Sequence, residues 1–294
     1  MCDESDLARW ARGVNRRQFA AGGTLAALAA CSSGNGNAAT ETGDEDSPEQ
    51  LTEKSVQITT ADGVMDAFFV HPAGGQSPGV IIWPDIAGLR DSFRMMARRL
   101  AREGYAVLVA NPYYRDIAAP QFSDFADFAG NDGFQTVGPW RGKLTAESIM
   151  RDAEALVDWL DQQSAVDTEK GIGTQGYCMG GPFAVWTAAS VPPRVKAAAS
   201  FHGGGLVGND PLAPVKLLGD TEAQFIFAIA ENDDEKDPEA KDELRDAAEA
   251  AGKKAEVEVY PADHGWTVPD SPSYAKPQAE KAWTQLLSLY DTAL

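Results

Sequence analysis

The chain is poor in sulfur and imidazole, with three cysteines and three histidines in 294 residues. Cysteines at positions 2, 31 and 178 do not imply a disulfide framework. No Cys/His spacing matches a zinc site, so no metal is expected. Cations are also scarce: 25 Lys and Arg stand against 44 Asp and Glu, a formal charge of −19. That sign argues against nucleic acid and anionic membrane surfaces as partners. It serves solubility, and it also suits a saline medium. The apolar run from Ala20 to Ala30 is too short to span a bilayer as a helix, and no internal repeat is visible.

What is present supports a sizeable core. Hydrophobic residues make up 44% of the chain, enough for one large domain or two small ones. The first residues carry an address. Arg16 and Arg17 form a twin-arginine pair, Phe19 follows, and the apolar run ends in Leu28-Ala29-Ala30-Cys31. This is the layout of a twin-arginine export signal closing on a bacterial lipobox. Residues 1–31 are therefore expected to be a signal, with Cys31 lipidated. Residues 32–50, rich in Ser, Gly, Asn, Asp and Glu, are expected to be a flexible tether, and 51–294 the folded domain. The expected location is exported, periplasmic or cell-surface, held to a membrane through the lipid anchor only.

From about Ser55 the pattern turns strand-like. SVQIT and MDAFFV flank Asp62-Gly63, a hairpin signal. GVIIWP and YAVLVANP read as strands buried on both faces. Between them RDSFRMMARRLAREG has helical periodicity and stops at Gly104. Residues 112–144 are irregular, rich in Phe, Asp and Gly, and read as a lid or wall. Beyond them helices and strands alternate to the C-terminal helix from Lys276 to Tyr290. The expected class is α/β: a mostly parallel central sheet, helices on both faces, and an antiparallel pair at one edge.

The stretch KGIGTQGYCMGG contains two signatures at once. From Gly171 it spells G-x-G-x-x-G, a dinucleotide fingerprint. That pattern requires a buried strand before its first glycine, and the polar SAVDTEK stands there instead. From Gly176 it spells G-x-C-x-G-G, a nucleophile on a sharp strand-to-helix turn, where the neighbours must be small. A helix N-terminus behind Cys178 favours a thiolate. A thiol needs a base, and the base an orienter. His264 follows the last strand, and Asp233 follows the strand before it, with Asp234 an equal choice from chemistry alone. His202 also follows a strand and is a weaker candidate for the base; His71 opens a polar loop. The order Cys178, Asp233, His264 is that of the α/β-hydrolase fold.

These residues resemble the dienelactone hydrolase family, a cysteine-using branch of the α/β-hydrolases, over roughly Val56 to Leu289. GYCMGG, the acid and the HGW segment carry the likeness, together with WPDIAGLRDSFRMMARRLAREGYAVLVANPYYR. The resemblance implies that the backbone N–H groups of Met179 and Ile86 form an oxyanion hole. It also implies that Asp85 takes part in activating the cysteine, with Asp where Glu is common in the family. No arginine follows His264 at the place where family members hold a substrate carboxylate; Arg141, in the insertion, is the candidate substitute. The aromatic insertion and Trp266 then suggest an apolar acyl or lactone group. The expectation is a cofactor-free hydrolase cleaving a small-molecule ester or lactone through an acyl-enzyme. A thioesterase or peptidase would share the machinery, and a tethered binding protein on an inactive scaffold is the rival reading.

Overall fold

The computed structural model describes residues 50–294. The twin-arginine pair, Cys31 and nearly all of the expected tether lie outside the described residues.

The described residues form an eight-stranded sheet in the order β1-β2-β4-β3-β5-β6-β7-β8. Strands β1 (Leu51–Thr60) and β2 (Gly63–Pro72) are the expected hairpin, antiparallel and in register from Leu51 opposite Pro72 to Thr60 opposite Gly63. The pairing begins at Leu51, earlier than the apolar pattern indicates, because an edge strand need bury only part of itself. His71 sits near the end of β2, not in a loop, with its ring 5.2 Å from that of Phe69. Strand β2 joins β4 (Ala106–Ala110) antiparallel. From there β3 (Gly79–Trp83), β5 (Ile172–Tyr177), β6 (Val195–Phe201), β7 (Gln224–Ala230) and β8 (Ala255–Tyr260) run parallel.

All five residues of β3 and of β4 are buried. Their side chains alternate between two cores. Val80 and Ile82 join one, and Ile81 joins the other. A strand covered on both faces has no wet side, which is why these runs are continuously apolar. Helix α1 (Asp91–Arg102) buries Phe93, Met96, Ala97 and Leu100 on the first face. Each large side chain so buried contributes about 1.5–3 kcal/mol. Gly104 follows with φ +95°, ending the helix in a backbone region that favours glycine.

The segment between β4 and α4 (Ala146–Asp161) carries two short helices, α2 (Phe125–Gly130) and α3 (Gly133–Arg141), where the sequence indicates irregular chain. Asp124 caps α2 by accepting from the N–H of Asp127. Pro139 and three glycines hide the helical pattern of α3 and the turns around it from a sequence reading. Together they place Phe122, Phe128 and Val137 against Ile86, Ala87 and Tyr113, a third, smaller core at the C-terminal edge of the sheet. Helix α4 and helix α5 (Gly181–Ser190) cover the second face, joined by α6 (Ala240–Ala250), which buries Leu244 and Ala248. Helix α7 (Lys276–Ala293) lies with α1 on the first. Among the described residues no helix is long and apolar enough to cross a membrane.

The glycines of the rejected fingerprint are explained by this packing. Gly173 lies inside β5, and a Cβ there would meet the Tyr290 ring at 2.7 Å. At Gly171 it would meet Lys196 at 2.7 Å.

Candidate active site

Strand β5 ends at Tyr177, and Cys178 follows with φ 53°, a left-handed conformation rare for a residue with a Cβ. A turn of 3₁₀ helix, Cys178–Gly180, leads directly into α5. The glycines around it follow from contact distances. A Cβ on Gly176 would stand 1.8 Å from the carbonyl oxygen of Gly180. One on Gly180 would stand 2.5 Å from that of Trp83, and one on Gly181 would stand 2.5 Å from Gly203. Each obstacle is backbone and cannot swing aside. Only hydrogen fits at these places, and the result is a sharp strand-to-helix turn that presents Cys178. Cys178 is 4% exposed at the head of α5.

Parallel pairing aligns the strand ends: Tyr177 pairs with Phe201, Phe201 with Ala228, and Ala230 with Tyr260. Loops leaving these ends therefore share one rim, where open α/β sheets carry their sites. Asp233 lies in a helical turn, Glu231–Asp234, directly after β7. Its Oδ2 accepts from His264 Nδ1–H at 2.6 Å. Asp234 instead pairs with Lys241 Nζ at 2.6 Å. The geometry thus separates two carboxylates that chemistry alone leaves equivalent. A second hold on the histidine escapes the sequence: Asn232 Oδ1 accepts from the backbone N–H of His264 at 2.8 Å. An Asn beside an acid in a polar run gives no local signal of that role. With Nδ1 held by the carboxylate, the ring leaves Nε2 to exchange protons.

His202 is brought to the same rim but is 1% exposed. Its Nε2 and Thr267 Oγ1 are 2.8 Å apart, and its ring lies 4.8 Å from that of His264. Burial, and then the nearby His264, push its pKa well below the ordinary histidine value. It is a buried neighbour of the His264 ring, and a base sealed from solvent is poorly placed for turnover. Trp266 is also a correction. It is fully buried, stacked on Tyr260 at 5.0 Å and edge-on to His202 at 5.1 Å, and so belongs to the core and not to a substrate wall.

Asp85 follows β3, buried in the loop that carries Ile86. Both of its oxygens accept from Arg90, at 2.7 and 2.9 Å, and Oδ1 also accepts from Ala87 N–H at 2.9 Å. It does not cap α1, whose N-cap position is Arg90 itself. Arg90 is 0% exposed and reaches Asp270 on its other side, at 2.7 and 2.8 Å. Burial alone would lower the pKa of the guanidinium, but the two carboxylates outweigh it and raise it. Burial likewise raises Asp270, and Arg90 reverses the sign, so its carboxyl is held below the usual range. Asp270 Oδ2 also accepts from Phe125 N–H at 3.0 Å, at the start of α2. Arg90 thereby joins the Ile86 loop, the segment after His264 and the insertion. Arg141 is exposed at the end of α3. Among the described residues no group of His, Cys, Asp and Glu is arranged to hold a metal ion.

A sequence profile described as the dienelactone hydrolase family matches residues 65–294. A protein of Escherichia coli strain K12 named "Putative carboxymethylenebutenolidase" is 29% identical over 232 residues, covering 77% of this chain and 82% of its own. Two solved structures share the fold. A dienelactone hydrolase-like promiscuous phosphotriesterase from metagenomic libraries superposes with a TM-score of 0.65 at 23% identity, covering 83% of this chain and 98% of its own. The dienelactone hydrolase of Anabaena variabilis gives 0.57 at 19%, covering 83% and 99%.

Proposed function

Because the chain belongs to the dienelactone hydrolase family, we propose that it hydrolyses a small-molecule lactone or ester through Cys178, His264 and Asp233. The observation that carries this reading is the 2.6 Å bond from His264 to Asp233 on the rim that also bears the strained Cys178 turn. The Cys178 thiolate attacks the carbonyl carbon, and the charge on oxygen is met by the N–H groups of Ile86 and Met179. Collapse breaks the acyl C–O bond, and His264 Nε2–H protonates the departing alkoxide. A thioester remains. Water then attacks it with His264 taking the proton, and the acid and the thiol are released.

The Escherichia coli relative's name points to a lactone as substrate. The aromatic insertion (Phe122, Phe125, Phe128, Phe134 and Trp140) points to an apolar acyl side. The test is turnover of an aryl-ester and lactone panel by reduced protein. Cys178→Ala should lose rate by orders of magnitude, and Asp233→Asn by about 10³–10⁴ in kcat, while Asp234→Asn stays near the parent. Equal rates in Cys178→Ala and parent would end the assignment. An inert Cys178, alkylated no faster than a thiol peptide, would favour the binding-protein reading.

We also propose that the mature protein is exported and lipid-anchored through Cys31, supported by Arg16-Arg17 and Leu28-Ala29-Ala30-Cys31. Cys31→Ser should move it from the membrane fraction to the soluble fraction. An unchanged distribution would refute the anchor.

A further inference from the structure

Tyr113 is buried in the loop after β4, and its hydroxyl reaches both residues assigned to the oxyanion hole. It donates to the carbonyl oxygen of Ile86 at 2.8 Å and lies 3.4 Å from Met179 Sδ. The Ile86 carbonyl and the Ala87 N–H belong to one rigid peptide plane. Tyr113 holds its oxygen end, and Asp85 Oδ1 holds its nitrogen end at 2.9 Å. The next N–H, of Gly88, is bonded to Asp85 O at 3.0 Å, and Gly88 takes φ +78°. Neither neighbouring N–H can turn toward a substrate without breaking a bond. The plane is pinned at both ends, which fixes the torsion next to the Ile86 N–H.

Tyr113 is itself anchored. Its N–H donates to Asn111 Oδ1 at 3.0 Å, and Asn111 in turn bonds Asp66 and the carbonyl of Ile117. Burial pushes the phenol far above its ordinary value, so it stays a protonated donor. The other face of its ring meets Trp140 of α3, 5.5 Å between centroids.

We infer that Tyr113 is the positioning residue of the oxyanion hole, bracing Ile86 and Met179 together and tying both to the aromatic insertion that walls the acyl side. This rests on the function proposed above. An oxyanion hole acts only when its donors stand where the charge develops, so loosening one donor should tax the transition state and spare the ground state.

The test is Tyr113→Phe, which keeps the ring and its contact with Trp140 and removes the hydroxyl. It is measured on reduced full-length protein with an aryl ester. The expected result is kcat lower by about tenfold, KM within about threefold, and an unchanged melting temperature. Affinity for an aryl trifluoromethyl ketone, which forms a tetrahedral adduct with a thiolate, should fall by the same factor as kcat/KM. Affinity for the matching unreactive amide should not. Unchanged kcat and ketone affinity, or equal losses of ketone and amide, would overturn the inference. Met179→Leu removes only the sulfur contact. A loss equal to or larger than that of Tyr113→Phe would also overturn it. Cys178→Ala in parallel separates the two claims. If it retains activity, the hydrolase mechanism fails. If it is inactive while Tyr113→Phe keeps its kcat, only the brace fails.

Discussion

Two short stretches build the candidate site of this protein, and they are held by opposite means. The Cys178 turn, Gly176 to Gly181, is fixed by what its residues lack. Strand, turn and helix pass so close that a single Cβ at Gly176 would lie 1.8 Å from a carbonyl oxygen. The loop that carries Ile86, Asp85 to Arg90, is fixed by what its residues possess. A buried guanidinium is shared between Asp85, five residues away, and Asp270, 180 residues away. The first device is steric and local. The second is electrostatic and needs three distant segments to arrive together. A turn of the first kind tolerates no added atom, whereas a loop of the second kind tolerates no lost charge.

The sharpest way to break this contrast is Gly176→Ala. Its Cβ overlaps backbone and no side chain can yield, so the variant should lose native folding outright or most of the 5–15 kcal/mol that typically holds a domain. Circular dichroism and melting would check this. A stable variant with the parent's melting temperature would show that the turn has slack that the contacts do not reveal. Next is Arg90→Met, which fills similar space but leaves two carboxylates buried together. The expected cost is about 3–5 kcal/mol by chemical denaturation at neutral pH. That cost should shrink as acid neutralises Asp270, whose carboxyl only Arg90 holds below the usual range. A loss independent of pH would mean that packing, and not charge, holds the loop.

The smallest effect concerns His202, which combines both devices. It has a positive φ of 41°, and its side chain bonds Thr267, 65 residues on. Its folded pKa is depressed, so the folded form stays neutral where the unfolded form takes a proton. Stability contributed by this group is complete above the unfolded value near 6.5 and declines as pH falls below it, at about 1.4 kcal/mol per pH unit. The native protein should therefore lose stability through His202 as pH falls from 7 toward 5. His202→Phe should flatten that part of the slope. An equal slope in both would assign it to other groups.

The legibility of the site follows the same division. G-x-C-x-G-G is readable because steric exclusion writes itself as glycine next to the residue it serves. The hairpin at Asp62-Gly63 and the buried runs of β3 and β4 are readable because periodicity is a local property. Asp233 and Asp234 are not separable by that reading, since the choice is made by Lys241 and His264 arriving from elsewhere. Trp266 reads as a pocket aromatic from its place beside His264, yet Tyr260 and His202 enclose it. The insertion reads as irregular because α2 and α3 are short, and α3 contains a proline.

By itself the sequence determined the class of fold, the order of the candidate residues along the chain and the tight turn that bears Cys178. Each of these is written in periodicity, in small residues, or in the order of strands along the chain. Only the tertiary structure decided which carboxylate meets His264, that Arg90 holds Asp85, and that Tyr113 spans Ile86 and Met179. Those choices depend on side chains far apart in the chain converging within hydrogen-bond distance. No local pattern encodes such convergence, because it comes from the packing of the whole sheet and its loops.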